Sequence, residues 1–110
     1  MQDLNEDKLT KIVIDLSQEN RLDEFWLGTF GYWVKRILQS MFGNVKIPVE
    51  VKGSPGDVQA FASALGREKK YLDSLSKYGL NNPKTYKNKS KLNRAVKEFT
   101  RKTGLKWPFK

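Results

Sequence analysis

The second half of the chain carries two complete sets of helix start and stop signals. Ser54-Pro55 combines a cap residue with a proline at the first helical position, and Gly79 supplies the stop. Asn82-Pro83 opens the next helix by the same chemistry, and Gly104 ends it. Because so few residues separate the two helices, we predict that they form an antiparallel hairpin.

The first half contains two further stretches in which apolar residues recur at helical spacing. We predict a first helix over about residues 6–19, capped by Asn5, and a second helix from the cap Asp23 to the stop Gly43. The second of these helices has an apolar stripe that is too wide for a surface helix, so it needs burial on more than one side.

One short segment between the helices has the pattern of a strand. Residues 45–52 alternate between apolar and polar side chains, which predicts a half-buried strand, and Pro48 marks it as an edge. Its partner would be the tail, where Leu105, Trp107 and Phe109 alternate with lysine and proline, or a strand of another chain. The predicted fold class is therefore mainly α, with four helices, a C-terminal antiparallel helical hairpin and one short strand for which the tail is a candidate partner.

Charge divides the chain into an acidic front and a basic back. Residues 1–24 hold seven acids and three bases, whereas residues 54–110 hold fourteen bases and four acids, and the formal net charge is +9. We predict an acidic and then aromatic helical segment over 1–44 and a basic segment, with the strand and the hairpin, over 45–110. Such asymmetry points to a polyanionic partner, and the competing interpretation is an acidic front that docks on the basic back of the same chain.

The chain has neither cysteine nor histidine. This excludes disulfides, thiolate nucleophiles, the usual zinc and iron ligand sets and haem ligation. The acidic pairs lie where helix starts favour acids, and Gly53-Ser54-Pro55-Gly56 lacks the glycine pattern and lysine of a phosphate-binding loop. We therefore predict that the protein is not an enzyme and has no catalytic residue, metal site or cofactor.

The last predicted helix carries the clearest candidate site. Its basic side chains fall on the side opposite its apolar face and form a ridge that suits the phosphates of a nucleic acid or an acidic protein surface. Six basic residues make up this ridge: Lys84, Lys87, Lys91, Arg94, Lys97 and Arg101. Tyr86 beside them is a candidate for stacking on a base. Without a sequence-reading motif, DNA binding would be weakly specific, and the competing interpretation is a solvated basic face.

The stripe of the second predicted helix is a candidate protein interface. Its members are Trp26, Phe30, Trp33 and Ile37. A stripe this rich in aromatic residues would dock on other proteins or on a second copy of the chain. The chain start lacks the features of a secretory signal, and the most apolar stretch contains Lys35 and Arg36, so we expect neither secretion nor a membrane span.

Several strings of residues in both halves of the chain are distinctive. In the second half these are Val51-Lys52-Gly53, Phe61-Ala62, Ala64-Leu65, Glu68-Lys69, Tyr71, Tyr78-Gly79-Leu80, Pro83-Lys84-Thr85-Tyr86, Phe99 and Thr103-Gly104-Leu105-Lys106-Trp107-Pro108-Phe109. In the first half they are Leu4-Asn5-Glu6-Asp7-Lys8-Leu9, Trp26-Leu27 and Met41-Phe42-Gly43. Both sets resemble strings of small proteins from large tailed bacteriophages. The strings of the second half also resemble the single-strand-binding accessory protein encoded beside the UvsW recombination helicase of such phages.

The resemblance implies a phage setting, in the virion or the host cytoplasm, and carries no catalytic residues. The first function we expect is a non-enzymatic structural or assembly component of a tailed-phage particle. It would dock on other phage structural proteins through the aromatic helix and present the basic hairpin to DNA or to acidic protein. The alternative is a single-stranded nucleic-acid-binding accessory protein of phage recombination or replication.

Overall fold

The protein is mainly helical, as predicted. A computed structural model describes residues 11–17, 24–43 and 47–109, with the side chains of the second range described from residue 27 onward. Along the chain these residues form β1 (Ile12–Asp15), α1 (Glu24–Phe42), β2 (Val49–Lys52), α2 (Pro55–Tyr78) and α3 (Pro83–Thr103). The described part of the chain thus has three helices and two strands, where we predicted four helices and one strand.

The chain divides into two compact units. The first comprises Met1–Ser54 together with Pro108–Lys110, and the second is Pro55–Trp107. This division differs from the predicted boundary after residue 44, because β2 pairs with β1 and so belongs to the first unit.

β1 lies where we predicted the first helix, and that prediction is wrong for these residues. Ile12 and Ile14 are 1% and 3% exposed, whereas Val13 between them is 45% exposed. This alternation is that of a strand, whose successive side chains point to opposite faces. Three β-branched residues in a row favour an extended backbone and outweigh the helical spacing. The parts of the predicted helix at 6–10 and 18–19 lie outside the described residues.

β1 and β2 form a parallel two-stranded sheet in which Ile12 pairs with Val49. The ladder extends beyond both ends of the strands. The Ile12 amide donates to the Pro48 carbonyl over 2.9 Å, and the Leu16 amide donates to the Lys52 carbonyl over 2.8 Å. Parallel strands need a crossover connection, and α1 lies in that connection.

The tail, one of the two candidate partners of β2, does not pair with it, because β1 is the strand that does. Leu105 and Trp107 are 0% and 8% exposed and belong to the second unit. Their alternation with other residues indicates an extended segment that buries every second side chain. Both a strand and an irregular tail packed on a core show this pattern. Of the predicted strand, residues 45 and 46 lie outside the described residues.

α1 runs from Glu24 to Phe42, close to its predicted bounds, and contacts β1. Four of its apolar side chains are buried: Phe30, Val34, Ile37 and Leu38. They recur every three or four residues, so they lie on one face of the helix and form part of the core together with the inward side chains of β1.

The second unit is built on α2 and α3, which we call the helical pair. The Asn82 side chain accepts a hydrogen bond from the Lys84 amide over 2.8 Å at the start of α3. At its end, Gly104 adopts a left-handed φ of 78° and its amide donates to the Thr100 carbonyl. These are the caps that the sequence predicts, and they satisfy backbone groups that the helix leaves unpaired.

The two helices of the pair run in opposite directions. Near the start of α2 the ring of Phe61 lies 6.1 Å from that of Phe99, near the end of α3. Near the other end, the Thr85 hydroxyl donates to the carbonyl of Ser74 over 3.3 Å. The ring of Trp107 joins the core at 6.0 Å from Phe61 and 5.3 Å from Phe99.

One buried polar contact ties the tail to the helical pair. The indole Nε1 of Trp107 donates to the Glu68 carboxylate over 2.8 Å, and Glu68 is only 4% exposed. A buried carboxylate requires a hydrogen-bond donor, and the indole of Trp107 supplies one to Glu68.

Candidate polyanion-binding surface

Two helices contribute to one concentration of positive charge on the helical pair. α2 supplies Arg67 and Lys70, and α3 supplies Lys87, Lys91 and Arg94. The residues on each helix are three or four positions apart, so they share one stripe of that helix. The two helices pack against each other, and Arg67 and Lys70 lie close enough to Lys91 to act on its charge, so the two stripes adjoin. We call these five residues the cationic cluster.

The charges of the cluster act on one another most strongly at Lys91. The pKa of the Lys91 ammonium is lowered first by Lys87, then by desolvation, and further by Arg67, Lys70 and Arg94. Like charges disfavour the protonated form, which is the direction seen here. The four other members of the cluster therefore surround Lys91 closely enough to repel it.

Acidic side chains do not neutralise this cluster among the residues that the structure describes. Ion pairs there join Lys11 to Glu50, Lys69 to Asp73, and Glu98 to both Arg101 and Lys102. None of these pairs includes a member of the cluster. On α3 the reason is that the sequence has no acid between Asp73 and Glu98. On α2 the nearby acids are engaged elsewhere, since Glu68 accepts from Trp107 and Asp73 pairs with Lys69.

The structure brings together half of the predicted basic ridge. Lys87, Lys91 and Arg94 belong to the cluster. Lys97 is exposed outside it, and Lys84 is exposed with its ammonium 4.8 Å from the centre of the Tyr78 ring. A lysine over an aromatic face is held there by a cation–π interaction.

Arg101 is exposed but is engaged by Glu98. Its guanidinium donates two hydrogen bonds to the carboxylate, of 3.1 Å and 2.6 Å. These bonds raise the pKa of Arg101 and lower that of Glu98. At the end of α3 the predicted ridge is therefore partly neutralised within the helix itself.

Tyr86, the candidate for base stacking, is 59% exposed. Its hydroxyl donates to the side-chain oxygen of Asn81 over 3.3 Å. A ring this accessible has a face available to a ligand, so its stacking role stays a prediction.

Arg67 and Lys70 were not among the site residues predicted from the sequence. Their spacing of three residues on α2 is a visible signal, but it does not indicate which side of the other helix they meet. That depends on how the helices are rotated about their axes, and the contacts of Phe61 with Phe99 and of Ser74 with Thr85 fix this rotation.

The predicted protein interface on α1 has a different outcome. Phe30 and Ile37 are 3% and 4% exposed, so they lie in the core rather than on an exposed docking face. Trp33 is partly buried, and the side chain of Trp26 lies outside the described residues. The neighbouring Tyr32 is 53% exposed, and its hydroxyl accepts a hydrogen bond from Arg36 over 3.4 Å. A docking role for α1 stays a prediction and would now depend on Trp33 and Tyr32.

Residues 11–17, 24–43 and 47–109 contain no group of acidic side chains that could hold a metal ion. None of the helices in these ranges is both long enough and apolar enough to cross a membrane. Comparison of the chain with protein-family models, with curated proteins and with solved structures found no match.

Proposed function

We propose that this protein is a non-enzymatic, nucleic-acid-binding component of a tailed-phage particle or of its assembly apparatus. The observation that carries the proposal is the cationic cluster, in which five positive charges from two helices adjoin with no acid among the described residues paired to them. Crowded like charges oppose folding, and a ligand that carries several negative charges relieves this repulsion.

The dimensions of the cluster suit a short stretch of nucleic-acid backbone. Lys87 and Arg94 are seven positions apart, which is about 10 Å along a helix. The axes of packed helices lie about 8–10 Å apart, so the cluster covers a patch of roughly 10 Å in each direction. One strand of B-DNA presents a phosphate every ~3.4 Å of helix axis, so the patch faces about three phosphates.

The phage setting of the proposal rests on the resemblance of the residue strings in both halves of the chain. In that setting the helical pair faces packaged DNA, and α1 docks on another structural protein through Trp33 and Tyr32. An acidic protein surface is the other kind of polyanion that a cationic patch binds. Polyglutamate, used as a ligand in the test, distinguishes it from a nucleic acid.

A second candidate function is a single-stranded nucleic-acid-binding accessory protein of phage recombination or replication. Two observations favour it. Tyr78 and Tyr86 are 39% and 59% exposed near lysines of the helical pair, and base–aromatic stacking contributes about 1–3 kcal/mol per base. The burial of Phe30 and Ile37 also removes half of the apolar docking face on which the particle role depends.

The test measures the affinity of the protein for labelled single-stranded and duplex oligonucleotides over a range of salt concentrations. A triple variant, Lys87→Gln, Lys91→Gln and Arg94→Gln, removes three charges from the cluster. Loss of three phosphate contacts reduces the magnitude of the log–log salt slope by about 2.7 for a duplex and about 2.1 for a single strand. The matched control removes three exposed lysines elsewhere: Lys35→Gln, Lys97→Gln and Lys106→Gln.

Equal weakening by the two triple variants would refute the cluster as the binding site, since net charge alone would then account for the affinity. Binding of polyglutamate with no binding of either oligonucleotide would identify acidic protein as the ligand. Light scattering on the same samples separates the two candidate functions. A monomer that prefers single strands supports the accessory protein, whereas duplex binding together with self-association supports the particle component.

A further inference from the structure

A recess opens beside the cationic cluster, between α2 and the start of α3. Its volume is about 360 Å³, and its lining consists of Lys70, Asp73, Ser74, Lys77, Tyr78 and Asn88. This volume is within the range of about 300–1,000 Å³ that small-molecule sites occupy. Lys70 belongs both to the recess and to the cluster, so the two are continuous.

We propose that this recess receives one unpaired guanine base of a nucleic acid whose phosphates lie on the cationic cluster. The inference rests on the proposed nucleic-acid binding, and it adds a base-reading subsite to a surface that would otherwise contact only the backbone. Three properties of the recess carry it: an aromatic wall, an accessible carboxylate and lysine donors around the mouth.

The aromatic wall is Tyr78, the last residue of α2, which is 39% exposed. The ammonium groups of Lys77 and Lys84 lie 5.8 Å and 4.8 Å from the centre of its ring. Both lysines are exposed, so they can leave the ring for a phosphate when a base stacks in their place. Unstacked bases are commonly recognised by stacking on an aromatic ring combined with hydrogen bonds to their Watson–Crick edge.

The carboxylate is that of Asp73, whose side chain is 54% exposed. It lies 3.1 Å from the ammonium of Lys69 in an exposed ion pair, a kind of interaction that is easily exchanged. Guanine has two adjacent N–H donors on its Watson–Crick edge, at N1 and N2, and these match the two oxygens of a carboxylate. Adenine and cytosine each offer one amino group beside an acceptor, and thymine offers one N–H between two carbonyls.

The remaining polar groups complete the match. Lys70 and Lys77 are donors for the O6 and N7 acceptors of guanine. At the base of the recess the Asn88 amide donates to the Ser74 hydroxyl, and Ser74 is 6% exposed. This contact holds α3 against α2 at the recess.

The experiment compares two short thymidine oligonucleotides, one of which carries a single central guanine, by fluorescence anisotropy. For the unaltered protein we expect the guanine-containing oligonucleotide to bind about tenfold more tightly, the discrimination of a good bidentate contact. Asp73→Asn should abolish this preference without weakening the binding of the thymidine oligonucleotide, because the change removes a negative charge. Tyr78→Ala should weaken the binding of the guanine-containing oligonucleotide by about tenfold through the loss of stacking.

Two control variants make the same chemical changes outside the recess. Glu98→Gln removes one negative charge from α3, and Tyr32→Ala removes an exposed ring from α1. Both should keep the guanine preference, and circular dichroism establishes that all four variants remain helical. Equal binding of the two oligonucleotides by the unaltered protein would refute the base subsite and leave the nucleic-acid function standing. Binding of neither oligonucleotide would overturn both proposals.

Discussion

The contact between Trp107 and Glu68 predicts a large and specific loss of stability when the indole nitrogen is removed. Trp107→Phe retains a ring against Phe61 and Phe99 but leaves the buried carboxylate without its indole donor. A buried polar group that loses its hydrogen-bond partner costs about 1–3 kcal/mol, and the lost area of the larger ring adds to this. We therefore expect the free energy of unfolding to fall by about 2–3 kcal/mol, which corresponds to a decrease in Tm of roughly 10 °C or more.

The partner variant Glu68→Leu leaves the indole N–H buried without its acceptor and should cost about 1–3 kcal/mol. In the double variant both polar partners are gone, and such paired apolar replacement is close to neutral. The double variant should therefore be more stable than Trp107→Phe alone. Urea unfolding followed by far-ultraviolet circular dichroism measures the free energy of unfolding of all three variants. The control is Tyr86→Phe, which removes an exposed hydroxyl and should change the free energy of unfolding by less than about 0.5 kcal/mol. Losses that simply add in the double variant would refute the coupling of the two side chains.

Three further predictions follow from single features of the fold. The pKa of Glu98 is lowered from its usual 4.5, mainly by its hydrogen bonds to Arg101. The ionised carboxylate therefore stabilises the fold above pH 4.5, and this stabilisation is lost as the pH falls through the lowered pKa. Glu98→Gln should flatten the acidic side of a curve of Tm against pH, and a curve with the same shape as that of the unaltered protein would contradict this expectation. Gly104 has a φ of 78°, so Gly104→Ala should lower the free energy of unfolding by about 1 kcal/mol. Gly66 lies within α2 with no atom near the position of an added Cβ, so Gly66→Ala should raise the free energy of unfolding by about 0.5–1 kcal/mol in the same urea experiment. Ile14→Ala should cost about 2–4 kcal/mol and Val13→Ala well under 1, since only the first side chain is buried; equal losses in chemical unfolding would contradict the strand assignment.

The caps of α3 could be predicted from the sequence because they are local. Asn82 bonds to an amide two residues away, and Gly104 bonds to a carbonyl four residues away, so the information needed lies within one turn of helix. The same holds for the ion pair between Glu98 and Arg101, which are three positions apart. Interactions of this range are encoded by residue type and spacing alone.

The strand β1 could not be predicted in this way. Its apolar residues satisfy a helical period as well as an alternating one, and the choice between them is made by Val49 and its neighbours, which pair with β1 from beyond α1. The tail was a candidate strand for a related reason, since alternation indicates an extended backbone but does not identify what that backbone packs against. In both cases tertiary context decided between two locally acceptable structures.

The candidate site was predictable in part for the same physical reason. Lys87, Lys91 and Arg94 share a stripe of one helix, and spacing reveals a stripe. The contribution of Arg67 and Lys70 depends on the packing of two helices, which spacing does not determine. The aromatic stripe of α1 posed the opposite difficulty, since a wide apolar stripe is compatible with a core or with a docking face, and Phe30 and Ile37 proved to be core.

The parallel pairing of β1 with β2 also bears on the order in which the chain folds. The first pair of this sheet joins Ile12 to Val49. The loop between them, which contains all of α1, must therefore close, and lose conformational entropy, before any contact between the strands compensates for that loss. The helical pair needs only the short turn between Tyr78 and Pro83 to bring its helices together. Because contacts that are close in sequence form fastest, the helical pair is expected to assemble first, and the sheet to be the last element to acquire order and the first to lose it.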